Sequence, residues 1–287
     1  MRRLFTAVLL FSLSLSASAA VMETRIIDVD LDSDRVMVMA ETEGRVLWVN
    51  AADTTMVTAF ESAAASESFI RVDYDLTTGT VNGAVLLNKK VATSSARTTG
   101  VNKDGDRFQP TIFSSVAQAQ SYFNTMDGQT KDDSQCYNRA HGWAYDLWTQ
   151  YRINSLKIFI FFTRRYIREY NYQWWFHVSP MTLVGQSGRN AEYVMDRSFT
   201  QGPVDVRTWT NIFMKNDANC PHVRYYTDYR NNQDAQYCYL MKTIMYYSTP
   251  RDLEYLESQG RYETDWVYSE LREGRRQAFI NWQRYNP

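Results

Sequence analysis

The sequence predicts an α+β protein in which a small β-rich unit precedes a larger unit of mixed helices and strands. Apolar and polar residues alternate along much of residues 21–91, as in half-buried strands. Residues 109–287 instead combine helical periodicity with apolar runs of strand length. Residues 92–108, rich in Thr, Ser, Gly and charged residues, separate the two units. We therefore expect an N-terminal domain and a C-terminal domain joined by a linker.

The first 20 residues form a predicted signal peptide. Arg2 and Arg3 precede a short apolar stretch, and small residues up to Ala20 complete a cleavage site. The stretch is shorter than the roughly 20 apolar residues that a membrane-spanning helix needs, and no later stretch is long enough. We expect an exported protein, periplasmic or extracellular, without stable membrane association.

The β-rich unit carries a clear hairpin pattern. Strands are predicted at 35–40 and 45–49, on either side of a short Gly-containing turn. Further strands are predicted at 69–74 and 81–87, with a short helix at 56–66 before them. The unit contains neither His nor Cys. We therefore expect no catalytic residue in it.

The larger unit holds all three Cys and all three His of the chain. Its continuous apolar run at 156–162 is typical of a central strand. Two further strands, 172–179 and 192–196, flank a turn-rich segment and predict a hairpin. Helices are predicted at 116–126, from Cys136 onward, at 205–214, and from Pro250 to the end.

Charge and motif content exclude two classes of function. The formal net charge is −1, and it becomes −3 once Arg2 and Arg3 leave with the signal peptide, so no basic block remains to bind nucleic acid. The chain has no CxxC, HxxxH or HExxH spacing of the kind that zinc sites use. We expect no metal, no cofactor and no nucleic-acid partner, and we expect a monomer.

Cys136 is a candidate nucleophile. It stands where a helix is predicted to begin, after the potential N-cap residues Asp132, Asp133 and Ser134. A thiol at the positive end of a helix, beside unpaired N–H groups, is favoured as thiolate. A lone cysteine is more often a small buried hydrophobe, so the position alone leaves both interpretations open.

The other two cysteines explain why Cys136 would be free. Cys220 and Cys238 lie 18 residues apart in a polar segment, a spacing suited to a disulfide that stabilises the fold by about 3 kcal/mol. That pairing leaves Cys136 as a free thiol in an oxidising compartment. Chemistry explains such a thiol better than packing does.

One of the three histidines suits a thiolate partner. His141 lies five residues after Cys136 on the same helix, about 140° around its axis, so it is expected to be structural. His222 is expected to be an exposed loop residue. His177 remains, and Asp196 in the next predicted strand would orient its imidazole.

These residues carry a resemblance to the bacterial protein-glutaminase (protein-glutamine deamidase) family. The family's C-x-x-R-A-H helix start matches the segment from Cys136, its H-V-x-P strand matches the segment from His177, and its V-x-D strand end matches the segment to Asp196. The likeness covers roughly residues 109–260. One departure is Arg197, where the family has proline.

The resemblance implies a papain- and transglutaminase-like core with a Cys-His-Asp triad. It implies hydrolysis of the side-chain amide of protein-bound glutamine, with Trp174, Trp175 and Tyr137 as candidate substrate-channel residues. Aromatic residues of this kind are also common in cores. Family members can carry a pro-segment, which would correspond here to the β-rich unit. A transglutaminase, a papain-like peptidase and a non-catalytic exported binding module remain alternatives.

Overall fold

The computed structural model describes residues 19–90, 108–127 and 135–258. The predicted signal peptide up to residue 18 and nearly all of the predicted linker lie outside these ranges. The same is true of the chain after Ser258, so the final predicted helix is described only in its first part.

An antiparallel five-stranded sheet forms the N-terminal unit. Its strands are adjacent in the order β3-β2-β1-β4-β5. They are β1 (Ala19–Asp32), β2 (Arg35–Ala40), β3 (Val46–Asn50), β4 (Ser68–Asp75) and β5 (Val81–Lys90). Helix α1 (Thr54–Ser66) buries Phe60 and Ala63 against the apolar face of this sheet. The alternation that predicted these strands is visible in β4, where every second residue from Ile70 to Tyr74 is buried.

The turn between β2 and β3 requires a glycine. Gly44 has φ +61°, and a Cβ there would lie 2.9 Å from the ring of Phe176 in the second unit. Only a residue without a side chain lets the turn approach that ring. The hairpin was predicted correctly, and its turn is one of the places where the two units meet.

A mixed six-stranded sheet forms the core of the second unit. Its main path runs β10-β9-β8-β7-β11, and β6 pairs in parallel with β8. The strands are β6 (Ile112–Phe113), β7 (Leu156–Phe162), β8 (Phe176–Gln186), β9 (Arg189–Val194), β10 (Val204–Asp205) and β11 (Cys238–Ile244). Strand β7 coincides with the predicted apolar run. It is buried nearly throughout, and β8 and β11 pair with its two edges, so it is a central strand of the sheet.

Within the described residues, six helices accompany this sheet. They are α2 (Val116–Phe123), α3 (Cys136–Tyr151), α4 (Arg164–Tyr170), α5 (Val206–Phe213), α6 (Tyr226–Asn231) and α7 (Pro250–Ser258). Helix α3 packs against β8. It does so through a buried face that includes Ala140, Trp143, Ala144 and Leu147, the periodic residues that predicted it. No helix within the described ranges has the length and apolarity needed to cross a membrane.

The two units share one hydrophobic core. Met37, Met39 and Trp48 of the first sheet pack in the same cluster as Cys136 and Phe176 of the second unit. Backbone hydrogen bonds join them as well, because Trp175 N–H donates to Gly44 O at 2.9 Å and Val46 N–H donates to Gln173 O at 2.8 Å. Arg164 of α4 also pairs with Asp28 of β1 at 2.5 Å. The N-terminal unit is therefore docked on the second unit through apolar, backbone and ionic contacts.

The predicted hairpin at 172–179 and 192–196 is displaced in the structure. Strand β8 begins only at Phe176, because the backbone of residues 173–175 bonds to the turn of the first unit. It then continues past Pro180, whose carbonyl accepts a hydrogen bond from Met195 N–H at 2.8 Å. Strand β9 ends at Val194, so the prediction that Asp196 lies in a strand is wrong.

Candidate active site

Cys136 is the first residue of α3, as the sequence predicts, and it is the free cysteine of the chain. The residue before it, Gln135, is the N-cap, but its side chain does not cap the helix. Its Oε1 atom instead accepts a hydrogen bond from Asn138 Nδ2 at 3.0 Å. The potential N-caps at 132–134 fall outside the described residues. The N–H groups of the first turn therefore face the region of the sulfur without a side-chain cap from Gln135.

His177 is the second residue of β8 and is 7% exposed. Its Nε2 atom lies 2.6 Å from Asp196 Oδ2. The imidazole also makes a hydrogen bond to the side chain of Cys136. Because Nε2 faces the carboxylate, Nδ1 is the ring nitrogen that is left to pair with the sulfur. One imidazole thus bridges a thiol and a carboxylate.

Asp196 is fully buried and lies in the turn that follows β9. Its backbone carbonyl accepts hydrogen bonds from Thr200 N–H at 2.8 Å and Phe199 N–H at 3.1 Å, which hold the turn. Its carboxylate reaches His177 even though Arg197 replaces the proline of the family pattern. The Arg197 side chain points elsewhere and donates to Phe123 O at 3.0 Å.

The electrostatics of the pair favour an imidazolium and a carboxylate. Burial favours the neutral form of His177, yet the Asp196 carboxylate, its hydrogen bond and the Cys136 sulfur raise the pKa of His177 to about 9. Burial likewise opposes ionisation of Asp196, but His177, the Trp209 N–H and the charge of Arg139 hold the pKa of this carboxyl below its usual range. At neutral pH the imidazole is therefore ready to donate a proton.

The sequence did not reveal the aromatic surroundings of His177. Ring centroids of Phe213, Phe199 and Trp209 lie 4.9, 5.1 and 5.8 Å from that of the imidazole. Trp209 and Phe213 belong to α5, whose amphipathic pattern is typical of any surface helix. The one signal available was Arg139 in the C-x-x-R-A-H segment, which is buried and contributes to the charge around Asp196.

The three candidate substrate-channel residues lie in different environments. Trp175 has no exposed surface, and its Nε1 donates to Ala40 O of the first unit at 2.8 Å. Trp174 is 37% exposed. Tyr137 is partly exposed, stacks on Phe176 with centroids 6.3 Å apart, and has its pKa raised mainly by burial of the hydroxyl. Of the three, only Trp174 and Tyr137 have side chains that are exposed to solvent in this structure.

The remaining Cys and His residues lie apart from this site. Cys220 and Cys238 form a disulfide with Cα atoms 5.0 Å apart. His222 is exposed. His141 is 1% exposed, and its Nδ1 atom lies 2.5 Å from the Nζ atom of Lys157. Within the described ranges, no group of three or more His, Cys, Asp and Glu side chains is arranged to hold a metal ion.

Comparison with solved structures shows which fold this chain shares. The chain is similar in structure to pro-protein-glutaminase, with 14% identity, a TM-score of 0.52, and coverage of 79% of this chain and 83% of that chain. A mutant of pro-protein-glutaminase is similar over the same shares, with 12% identity and a TM-score of 0.52. At these identities the likeness shows a shared α+β fold. No curated protein matches the sequence.

A protein-family match covers the region of the site. The family model described as Glutaminase matches residues 111–213, from just before β6 to the end of α5. That stretch contains Cys136, His177 and Asp196. The resemblance of this chain to the protein-glutaminase family is therefore confirmed.

Proposed function

We propose that this protein is a protein-glutamine glutaminase, which hydrolyses the side-chain amide of protein-bound glutamine to glutamate and ammonia through a cysteine thioester. The observation that carries the proposal is the contact of His177 with both Cys136 and Asp196 inside the region of the family match. Its substrates are proteins or peptides with exposed glutamine. It uses no metal or cofactor.

The first half-reaction forms the thioester. The Cys136 thiolate attacks the side-chain carbonyl carbon of glutamine to give a tetrahedral intermediate. When that intermediate collapses, the C–N bond breaks and His177 gives its Nδ1 proton to the departing nitrogen, which leaves as ammonia. A pKa of about 9 keeps His177 protonated at neutral pH, as this step requires.

The second half-reaction releases glutamate. His177, now neutral, removes a proton from water as the water attacks the thioester carbon. The C–S bond then breaks and the sulfur leaves as thiolate beside the reprotonated imidazole. In both halves the oxyanion is stabilised by backbone N–H groups at the start of α3, including that of Cys136.

We also propose that the second unit is a papain- and transglutaminase-like catalytic core. The features that support this are a helix that begins at the nucleophile and an antiparallel hairpin, β8–β9, that carries His177 and leads to Asp196. The orientation of the imidazole, with Nε2 on the carboxylate, suits transfer of a proton through Nδ1.

The N-terminal unit, residues 21–91, is proposed to be a pro-domain that is removed after export through the signal peptide. Cys136 is only 8% exposed, and the cluster around it includes Met37 and Met39 of that unit. Arg97 and Lys103 in the linker are candidate cleavage positions for trypsin-like proteases. A mature chain that keeps Val21 onward and is as active as the trypsin-treated chain would rule this out.

The experiment that tests the function uses both the intact and the trypsin-treated protein with a glutamine-containing peptide. We expect release of ammonia together with a peptide mass gain of about one unit, the difference between amide and carboxyl. Cys136→Ala should abolish ammonia release and keep the fold, and residual activity within tenfold of wild type would mean a different nucleophile. Incorporation of a fluorescent amine would instead indicate a transglutaminase, and new amino termini a peptidase.

A further inference from the structure

The Asp196 carboxylate has donors on both of its oxygen atoms. Oδ1 accepts a hydrogen bond from Ser198 N–H at 3.2 Å. Oδ2 faces His177 Nε2 at 2.6 Å and also accepts a hydrogen bond from Trp209 Nε1 at 2.8 Å. The indole N–H therefore shares the oxygen that orients the imidazole.

Trp209 is itself held firmly. It has no exposed surface, and it lies in the first turn of α5, where the Asp205 carboxylate accepts hydrogen bonds from Thr208 N–H at 2.9 Å and Thr208 Oγ1 at 2.6 Å. One turn later, Phe213 packs edge-on against the indole with centroids 5.4 Å apart and also contacts His177. The buried face of α5 thus presents a fixed donor to the carboxylate.

The position of Asp196 makes such a donor necessary. Asp196 lies two residues beyond the end of β9, so no ladder of strand hydrogen bonds fixes its side chain. A carboxylate can rotate about its terminal bond, and that rotation is broad and weakly restrained. Donors on both oxygens stop the rotation and keep Oδ2 in line with His177 Nε2.

We infer that Trp209 is a positioning residue, whose indole N–H fixes the Asp196 carboxylate so that the imidazole of His177 stays aligned with Cys136. This inference rests on the proposed function for its kinetic consequence. Its structural consequence, which is the orientation of the Cys136–His177 pair, can be measured without any substrate.

The test compares Trp209→Phe with Trp143→Phe. Trp143 is a matched control because it is also buried, at 2% exposure, and its Nε1 donates to a backbone carbonyl, Asp127 O, at 2.7 Å. Both variants lose one indole N–H and keep an aromatic ring. We expect Trp209→Phe to lower kcat on the order of 10- to 100-fold with KM within about twofold, and Trp143→Phe to leave both constants within about twofold of wild type.

Alkylation of Cys136 by iodoacetamide supplies a measure that needs no substrate. In weak acid the thiolate exists only beside a well-placed imidazolium, whereas at high pH it forms without one. We therefore expect Trp209→Phe to slow alkylation about tenfold at pH 6 and to leave it nearly unchanged at pH 10. If the wild-type protein releases no ammonia but alkylation shows this pattern, the proposed function fails and the role of Trp209 stands.

A shape-preserving replacement covers the case in which Trp209→Phe does not fold. 3-Benzothienylalanine at position 209 keeps the bicyclic ring and replaces the N–H by sulfur. We expect the same loss of kcat and the same slow alkylation at pH 6. The inference is overturned if the folded variant keeps kcat and alkylation within twofold of wild type, or if Trp143→Phe loses as much as Trp209→Phe.

Discussion

Two buried histidines of this protein pair with different groups, a carboxylate and an amine, and they differ in what they can do. His177 faces a carboxylate, Asp196, which stabilises the imidazolium and raises the pKa of His177 to about 9. His141 faces the amine of Lys157, which also donates to Tyr247 O at 2.6 Å. Burial, opposed by Asp252, holds the pKa of Lys157 well below its usual range.

The comparison shows that burial alone does not define a catalytic histidine. A carboxylate stabilises the protonated form of an imidazole, which can then donate a proton. A buried amine can use an imidazole only as a hydrogen-bond acceptor. His141 is part of α3, the helix that begins at Cys136, and His177 contacts the first residue of that helix. One belongs to the proposed chemistry, and the other ties α3 to β7 and to the segment before α7.

Replacing each histidine by alanine should give the largest expected difference, because one variant should lose activity and the other stability. His177→Ala should lower kcat on the order of 10³-fold, because both proton transfers lose their carrier. Its free energy of unfolding should change much less than its rate. His141→Ala should keep kcat per folded molecule within about threefold and lose on the order of 2 kcal/mol of stability, since a buried amine loses its acceptor. Ammonia assays and urea unfolding of both variants measure this, and equal kinetic losses would break the comparison.

The dependence of stability on pH should reveal the raised pKa of His177. Its folded-state pKa is about 9, above the unfolded value of about 6.5, so the stabilisation is fully present below pH 6.5 and is lost as pH rises through 9. We expect the wild type to lose up to about 3 kcal/mol over this range relative to His177→Gln. Urea unfolding at pH 6, 7.5 and 9.5 measures the difference, and a gap that widened with pH would contradict the assigned ion pair.

Lys157→Met should change the free energy of unfolding less than His177→Gln does. Its stability difference from wild type should also change with pH in the opposite direction to that of His177→Gln. At pH 10 the wild-type amine is neutral and hydrogen-bonded, so its loss should cost about 2 kcal/mol. The pKa of Lys157 is lowered by folding, so wild-type stability falls as pH drops from about 10.4 toward the folded value, whereas the variant lacks this change. The gap between them should therefore narrow toward pH 7.

Lys242→Met is the matched control for that variant. Lys242 lies at 37% side-chain exposure and pairs with Glu192 at 2.7 Å, so its removal should change stability by about 0.5 kcal/mol or less at either pH. A Lys157→Met deficit that grew on acidification would mean that the buried amine is charged in the folded protein.

Local patterns were enough to predict much of this fold. The apolar run of β7, the start of α3 at Cys136 and the hairpin of β2 and β3 each depend on a few consecutive residues, and each was found where predicted. The start of β8 was not, because residues 173–175 bond to the turn at Gly44, which lies far away in sequence. Such a contact leaves no trace in the periodicity of either segment.

The candidate site also combines residues that local sequence identifies with residues that only the folded structure brings into contact. Cys136 and His177 stand out by residue type and by motif. Trp209 carries no such mark, because its indole N–H has meaning only once α5 is folded beside Asp196. The strand predicted for Asp196 was wrong for a related reason, since the turn after β9 is held by Thr200 and Phe199 and not by a sheet partner.

Graded alkylation of Cys136 tests the central claim most directly. The processed protein is treated with iodoacetamide to increasing extents, the modified fraction of Cys136 is measured by peptide mapping, and ammonia release from a glutamine peptide is measured on each sample. The disulfide protects the other two cysteines, so the reagent reports on one thiol. We predict that activity falls in proportion to the modified fraction and vanishes when modification is complete. Ammonia release that persists with Cys136 fully alkylated would contradict a thioester mechanism at this residue.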